Sequence, residues 1–169
     1  MTWIGSLLVD KPAVINAPPL VFSSRGQQMD LLRHFANRIF VPEPVANEIL
    51  MKGPEDVTAK ALHNTPWLEV VPAVSVPESI LDWGLGPGES SVLAFASDHP
   101  GTEAIIDDLA GRRCAAYLNI PVRGTLGIVL VAKKRGLIPK ARPVMETLIR
   151  SGLYLSRPVL DEALKRVDE

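Results

Sequence analysis

The chain has 169 residues, a net charge of −1, 47% hydrophobic and 22% charged residues, a balance that fits one globular domain with a proper core and excludes a disordered chain. No apolar run approaches the ~18–20 residues of a membrane span, and Met1–Val9 lacks the basic start and small-residue cleavage site of a secretory leader, so a cytoplasmic protein with no membrane partner is expected. One cysteine, Cys114, cannot form an internal disulfide, and three scattered histidines argue against zinc.

In chain order, Ala13–Asn16 reads as a first strand closed by Pro18-Pro19. Gln27–Asn37 carries Met29, Leu32 and Phe35-Ala36 at helical spacing, and Arg38–Val41 is a short strand. Pro42 opens a helix that runs through Met51 and stops at Gly53-Pro54. A second helix, Glu55–His63, leads into the strand Trp67–Val71, while Val74–Trp83 gives no clear signal. Gly86-Pro87-Gly88 breaks the chain before a helix over Glu89–Asp98, and Glu103–Asp107 is the next strand. A helix over Leu109–Leu118, a brief extended Pro121–Arg123 and an apolar helix over Gly124–Arg135, ended by Gly136, follow. Helices over Arg142–Ser151 and Pro158–Val167, with Leu153–Ser156 extended between them, complete the chain. Alternation of helices with short strands predicts an α/β protein, a three-layer α/β/α sandwich with a mostly parallel sheet of four to five strands.

Ala104-Ile105-Ile106-Asp107-Asp108 is the most informative stretch. A continuous apolar strand belongs inside a parallel sheet, and ligands of such sheets bind at the strands' carboxyl ends. Two acids there point to a cation or proton-transfer site, although one of them can equally cap the helix that begins at Leu109. Glu89 shares a helix face with Val92, Leu93 and Ala96, and Glu48 lies on the stripe of Val45 and Ile49. A carboxylate on a core-facing stripe needs a partner, but Glu89 also suits a first helical turn, and Glu48 can reach water from an edge position. Together these acids fit a hard cation such as Mg²⁺ or Mn²⁺. Twelve basic residues fall between Arg112 and Arg166 against only Glu146, Asp161 and Glu162. Such a rim suits a phosphodiester, and it equally suits a solvated helical surface. The sequence has no Ser–His–Asp or Cys–His arrangement and no phosphate-binding Gly-x-x-x-x-Gly-Lys motif.

Several segments form a set in order and spacing: Met29-Asp30-Leu31-Leu32, Phe40-Val41-Pro42-Glu43-Pro44-Val45-Ala46-Asn47-Glu48, Gly86-Pro87-Gly88-Glu89, Ala104-Ile105-Ile106-Asp107-Asp108 with Gly111-Arg112-Arg113, and Arg123-Gly124-Thr125-Leu126-Gly127-Ile128 continued through Ala132-Lys133-Lys134-Arg135-Gly136-Leu137-Ile138-Pro139. Together they resemble the PIN-domain superfamily of metal-dependent ribonucleases and, more narrowly, its DUF3368 group. The resemblance implies acids meeting at one sheet edge around Mg²⁺ or Mn²⁺: Glu48, Glu89, Asp107 and Asp108 as catalytic metal ligands, Asp108 nearest the ion. It also implies RNA as substrate, a small antitoxin protein as partner and a homodimer, as in many toxins of toxin–antitoxin pairs. Arg112, Arg113, Lys133 and Lys134 are the candidates for the nucleic acid.

One position departs from the family. Its first strand ends in Asp-x-Ser-Pro-Leu, which ungapped spacing sets against Asn16-Ala17-Pro18-Pro19-Leu20, so Asn16 stands where the family has a metal-binding Asp. An amide oxygen can coordinate a cation but brings no charge. A rival alignment uses Asp10 and needs an insertion. Residues 1–12 are then an N-terminal extension and 13–169 a single domain. Two readings lead: an active ribonuclease, and a degenerate module that binds RNA or protein without cutting. A scaffold whose acids are mere surface residues ranks third.

Overall fold

The computed structural model describes residues 11–169. Asp10 and nearly all of the expected extension lie outside the described residues. The elements are β1 (Pro12–Ile15), α1 (Ala17–Arg25), α2 (Met29–Phe35), β2 (Arg38–Pro42), α3 (Glu43–Leu50), α4 (Val57–Asn64), β3 (Leu68–Val71), α5 (Glu78–Leu81), α6 (Pro87–Asp98), β4 (Glu103–Ile105), α7 (Leu109–Tyr117), β5 (Val122–Arg123), α8 (Thr125–Lys134), α9 (Ala141–Arg150) and α10 (Arg157–Lys165).

The five strands form one sheet in the order β3-β2-β1-β4-β5, every pair parallel. Ala13, Val14 and Ile15 of β1 and Ala104 and Ile105 of β4 are wholly buried, the pattern of strands covered on both faces. On one side α2 packs on α8, α8 on α9, and α1 on α2, α4 and α9. On the other, α6 crosses β1, β2 and β4, with α3, α5 and α7 beside it. The result is the three-layer α/β/α sandwich, with a sheet that is parallel throughout. Met145, Leu148 and Leu164 bring α9 and α10 into the same core.

Two local readings are corrected. Pro18-Pro19 do not close β1; they lie in the first turn of α1, where a missing N–H and a fixed φ suit a helix start. The unassigned stretch 74–83 contains the single turn α5, anchored by the buried Ile80. Gly136 ends α8 in the left-handed region, at φ 72°.

Candidate metal centre

Parallel strands bring all their carboxyl ends to one edge. From β1 the chain moves outward through β2 to β3, then returns to the far side of β1 for β4 and β5. The sheet order therefore reverses between β1 and β4, and the crevice above such a point is where open α/β sheets bind ligands. Asn16 follows β1, and Asp107 and Asp108 follow β4. The Asn16 N–H donates to the Ile105 carbonyl at 3.0 Å and locks the two strand ends together. Glu48 descends from α3, which starts directly after β2, and Glu89 sits in the first turn of α6.

Asn16 occupies the N-cap position of α1 with extended backbone, yet its side chain makes no capping bond. Its residue is 3% exposed, and its Oδ1 faces Gly88 instead. A Cβ on Gly88 would stand 3.1 Å from Asn16 Oδ1 and 3.2 Å from Glu48 Oε2, so both oxygens close on one point, where an added methyl would press on them. Gly111 does the same for Glu89, whose Oε2 would lie 3.2 Å from an added Cβ. Neither glycine shows this role in the sequence beyond its place in a motif.

Burial is the chief cause that lifts the Glu89 carboxyl above its usual range; the charge of Asp108 and a hydrogen bond to it add to that, and Glu48 contributes further. Asp108 is the N-cap of α7, its Oδ2 accepting from the Gly111 N–H at 3.2 Å. Helix capping and a place among the acids thus coexist in one residue.

Asp107 turns the other way. Its Oδ1 accepts from the Thr125 N–H at 2.7 Å and its Oδ2 from the Thr125 hydroxyl at 2.6 Å, at the start of α8. Burial raises its pKa, while the Thr125 bonds and the Arg112 guanidinium pull it back. The structure therefore gathers Asn16, Glu48, Glu89 and Asp108, and sets Asp107 against Thr125. In the sequence Thr125 stands only as a helix-opening residue within the Arg123–Ile128 segment; its partner lies 18 residues earlier in the chain, and nothing in the spacing links the two.

The basic candidates divide as well. Arg112 reaches the same face of Gly124 as Asp107, and Arg113 is exposed on α7. Lys133 instead donates to the Pro139 carbonyl at 2.7 Å and pairs with Glu169 at 3.7 Å. With Lys134 it lies eight or nine residues along α8 from Thr125, roughly 12 Å or more along the helix axis from the Thr125–Asp107 contact at 1.5 Å per residue.

Among the described residues no three His, Cys, Asp or Glu side chains are drawn together tightly enough to hold a metal ion. The donor set nevertheless suits one. It is all oxygen, as Mg²⁺ and Mn²⁺ prefer, and a cation would relieve the burial of the Glu89 carboxylate and its repulsion by Asp108 and Glu48. A family model described as PIN domain, DUF3368, matches residues 12–169. No curated protein matches the chain.

Proposed function

The chain belongs to the DUF3368 family of PIN domains, a nuclease-type fold, and from that premise we propose that it is a Mg²⁺- or Mn²⁺-dependent endoribonuclease. The observation that carries this reading is the convergence of side chains from four elements on one sheet edge: Asn16 Oδ1 and Glu48 Oε2 meet over Gly88, and Glu89 lies over Gly111, whose N–H donates to Asp108. Glu48, Glu89, Asp108 and the Asn16 amide oxygen would hold the ion, which when bound supplies an activated water and neutralises charge at the phosphate. Asp107 does a different job: clamped by Thr125, it fixes the start of α8 against the end of β4 and steadies Arg112. Arg112 then offers a planar, permanently charged group to a phosphate beside the acids.

Cleavage of a mixed RNA pool by the purified chain in Mn²⁺, lost in Asp108→Asn, is the expected result. An uncut pool, or equal cutting by the variant, overturns the reading. Asn16 favours a second one: a neutral ligand in place of an acid leaves a module that binds RNA or a protein without cutting. An inert wild type that gains Mn²⁺-dependent cleavage on Asn16→Asp would establish it. On the family resemblance alone, the chain takes the role of a toxin working as a homodimer and silenced by a small antitoxin. Growth arrest on induced expression, relieved by Asp108→Asn, is expected, and unimpaired growth of the wild type contradicts it.

A further inference from the structure

On the Asp107 side of the acids, β5, α8, α10 and the extended segment 153–156 enclose a cleft of about 690 Å³, within the ~300–1,000 Å³ of pockets that bury small organic ligands. Its lining has two characters. Leu126, Leu130 and Leu153 make an apolar wall, and Arg112, Arg123 and Arg166 supply three cations against two acids: Asp107, held by Thr125, and Glu162, which pairs with Lys165 at 3.7 Å. Tyr154 stands at the rim, 90% exposed. Resting on the nuclease reading for what passes the acids, we propose that this cleft receives unpaired nucleotides of a single RNA strand flanking the cut phosphate, Tyr154 stacking on a base and the three arginines contacting phosphates.

Three features favour this occupant. The cleft shares Asp107 and Arg112 with the acid edge, so a chain lying in it runs on into the candidate centre. An exposed tyrosine ring beside cations is the arrangement that holds single strands, since every base offers a face to stack on. A duplex keeps those faces paired and out of reach.

Arg123 is also pre-set. Its Nε donates to Glu103, which is 4% exposed, at 3.1 Å, leaving the other guanidinium donors for a second acceptor. Its stem lies across Gly127, where an added Cβ would come within 2.7 Å of Arg123 Cδ. The glycine thus keeps the space that the arginine occupies.

Fluorescence anisotropy with a labelled single-stranded RNA of about 12 nucleotides, inside the ~4–16 that such sites cover, tests this in EDTA, where binding is read apart from cleavage. The single strand is expected to bind more tightly than a blunt duplex of the same sequence. Tyr154→Ala should weaken it by about 5- to 100-fold, Tyr154→Phe should not, and Arg166→Ala should lower the salt slope by about 0.7. Circular dichroism of the variants checks the fold. Absence of binding, equal duplex affinity, or indifference to Tyr154→Ala overturns the proposal. So does a doubled mass in sedimentation that Tyr154→Ala abolishes without touching RNA affinity, which assigns the cleft to a second copy. Tyr154-dependent binding without Mn²⁺ cleavage keeps the cleft and removes the nuclease; cleavage without it does the reverse.

Discussion

Glu89 faces two other carboxylates while half-buried, and either a proton or a cation relieves it. In EDTA at pH 7, Glu89→Gln should therefore raise the thermal midpoint by a few degrees. The sign follows from linkage: an acid whose folded pKa is raised leaves stability intact below its unfolded value, near 4.5, and loses it as the pH climbs through the folded value. The gain from the variant is thus present at neutral pH and fades below 4.5; equal midpoints at pH 7 contradict this. Thr125→Val keeps the shape but removes the hydroxyl that Asp107 accepts at 2.6 Å. A loss of about 1–3 kcal/mol in denaturant unfolding is expected, and a loss near zero shows the clasp to be idle. Glu48, Glu89 and Asp108 were legible because acids on apolar stripes and at a strand end break the local pattern. Thr125 was not, because its role exists only once the end of β4 meets the start of α8.

At the level of helices and turns, periodicity located most elements and missed where chemistry overrides it. The Pro18-Pro19 pair looks like a stop in one dimension, and the helix it opens shows only in the buried Leu20 and Val21 behind it. Lys133 and Lys134 sit beside the right motif in the sequence, and α8 sets them roughly two turns or more beyond Thr125, where Lys133 meets Pro139 and Glu169. Helix ends are where small changes register. Asp56 caps α4, its Oδ2 accepting from the N–H groups of Thr58 and Ala59 at 3.0 and 3.1 Å. The Ala59 bond chiefly lowers its pKa; burial opposes, and Thr58, Arg25 and Lys52 reinforce it. Asp56→Ala should cost about 1 kcal/mol. Because the folded pKa is depressed, that contribution is whole above the usual 3.8 and is lost as pH falls through the folded value. Urea unfolding at pH 7 and pH 3 checks it: a deficit that stays the same size at both contradicts the assignment.

The fold as a whole explains why distant acids meet. A parallel order of 3-2-1-4-5 leaves one reversal, between β1 and β4, and the chain's segments deliver Asn16, Glu48, Glu89 and Asp108 to it from four places. Alternating elements made the layered architecture readable, and continuous apolar strands made the parallel sheet readable. The split between Asp107 and Asp108, and the cleft beyond Asp107, depend on which way two adjacent side chains turn, which spacing along the chain does not encode. No helix among the described residues is long and apolar enough to cross a membrane. The central claim is that these four side chains form one divalent-cation site. Isothermal titration of Mn²⁺ into the metal-stripped wild type, Glu89→Gln and Asn16→Asp tests it most directly. The account predicts one ion per wild-type chain, affinity weakened by about 10-fold or more in Glu89→Gln and strengthened in Asn16→Asp; no binding by the wild type, or the same affinity in all three, would contradict it.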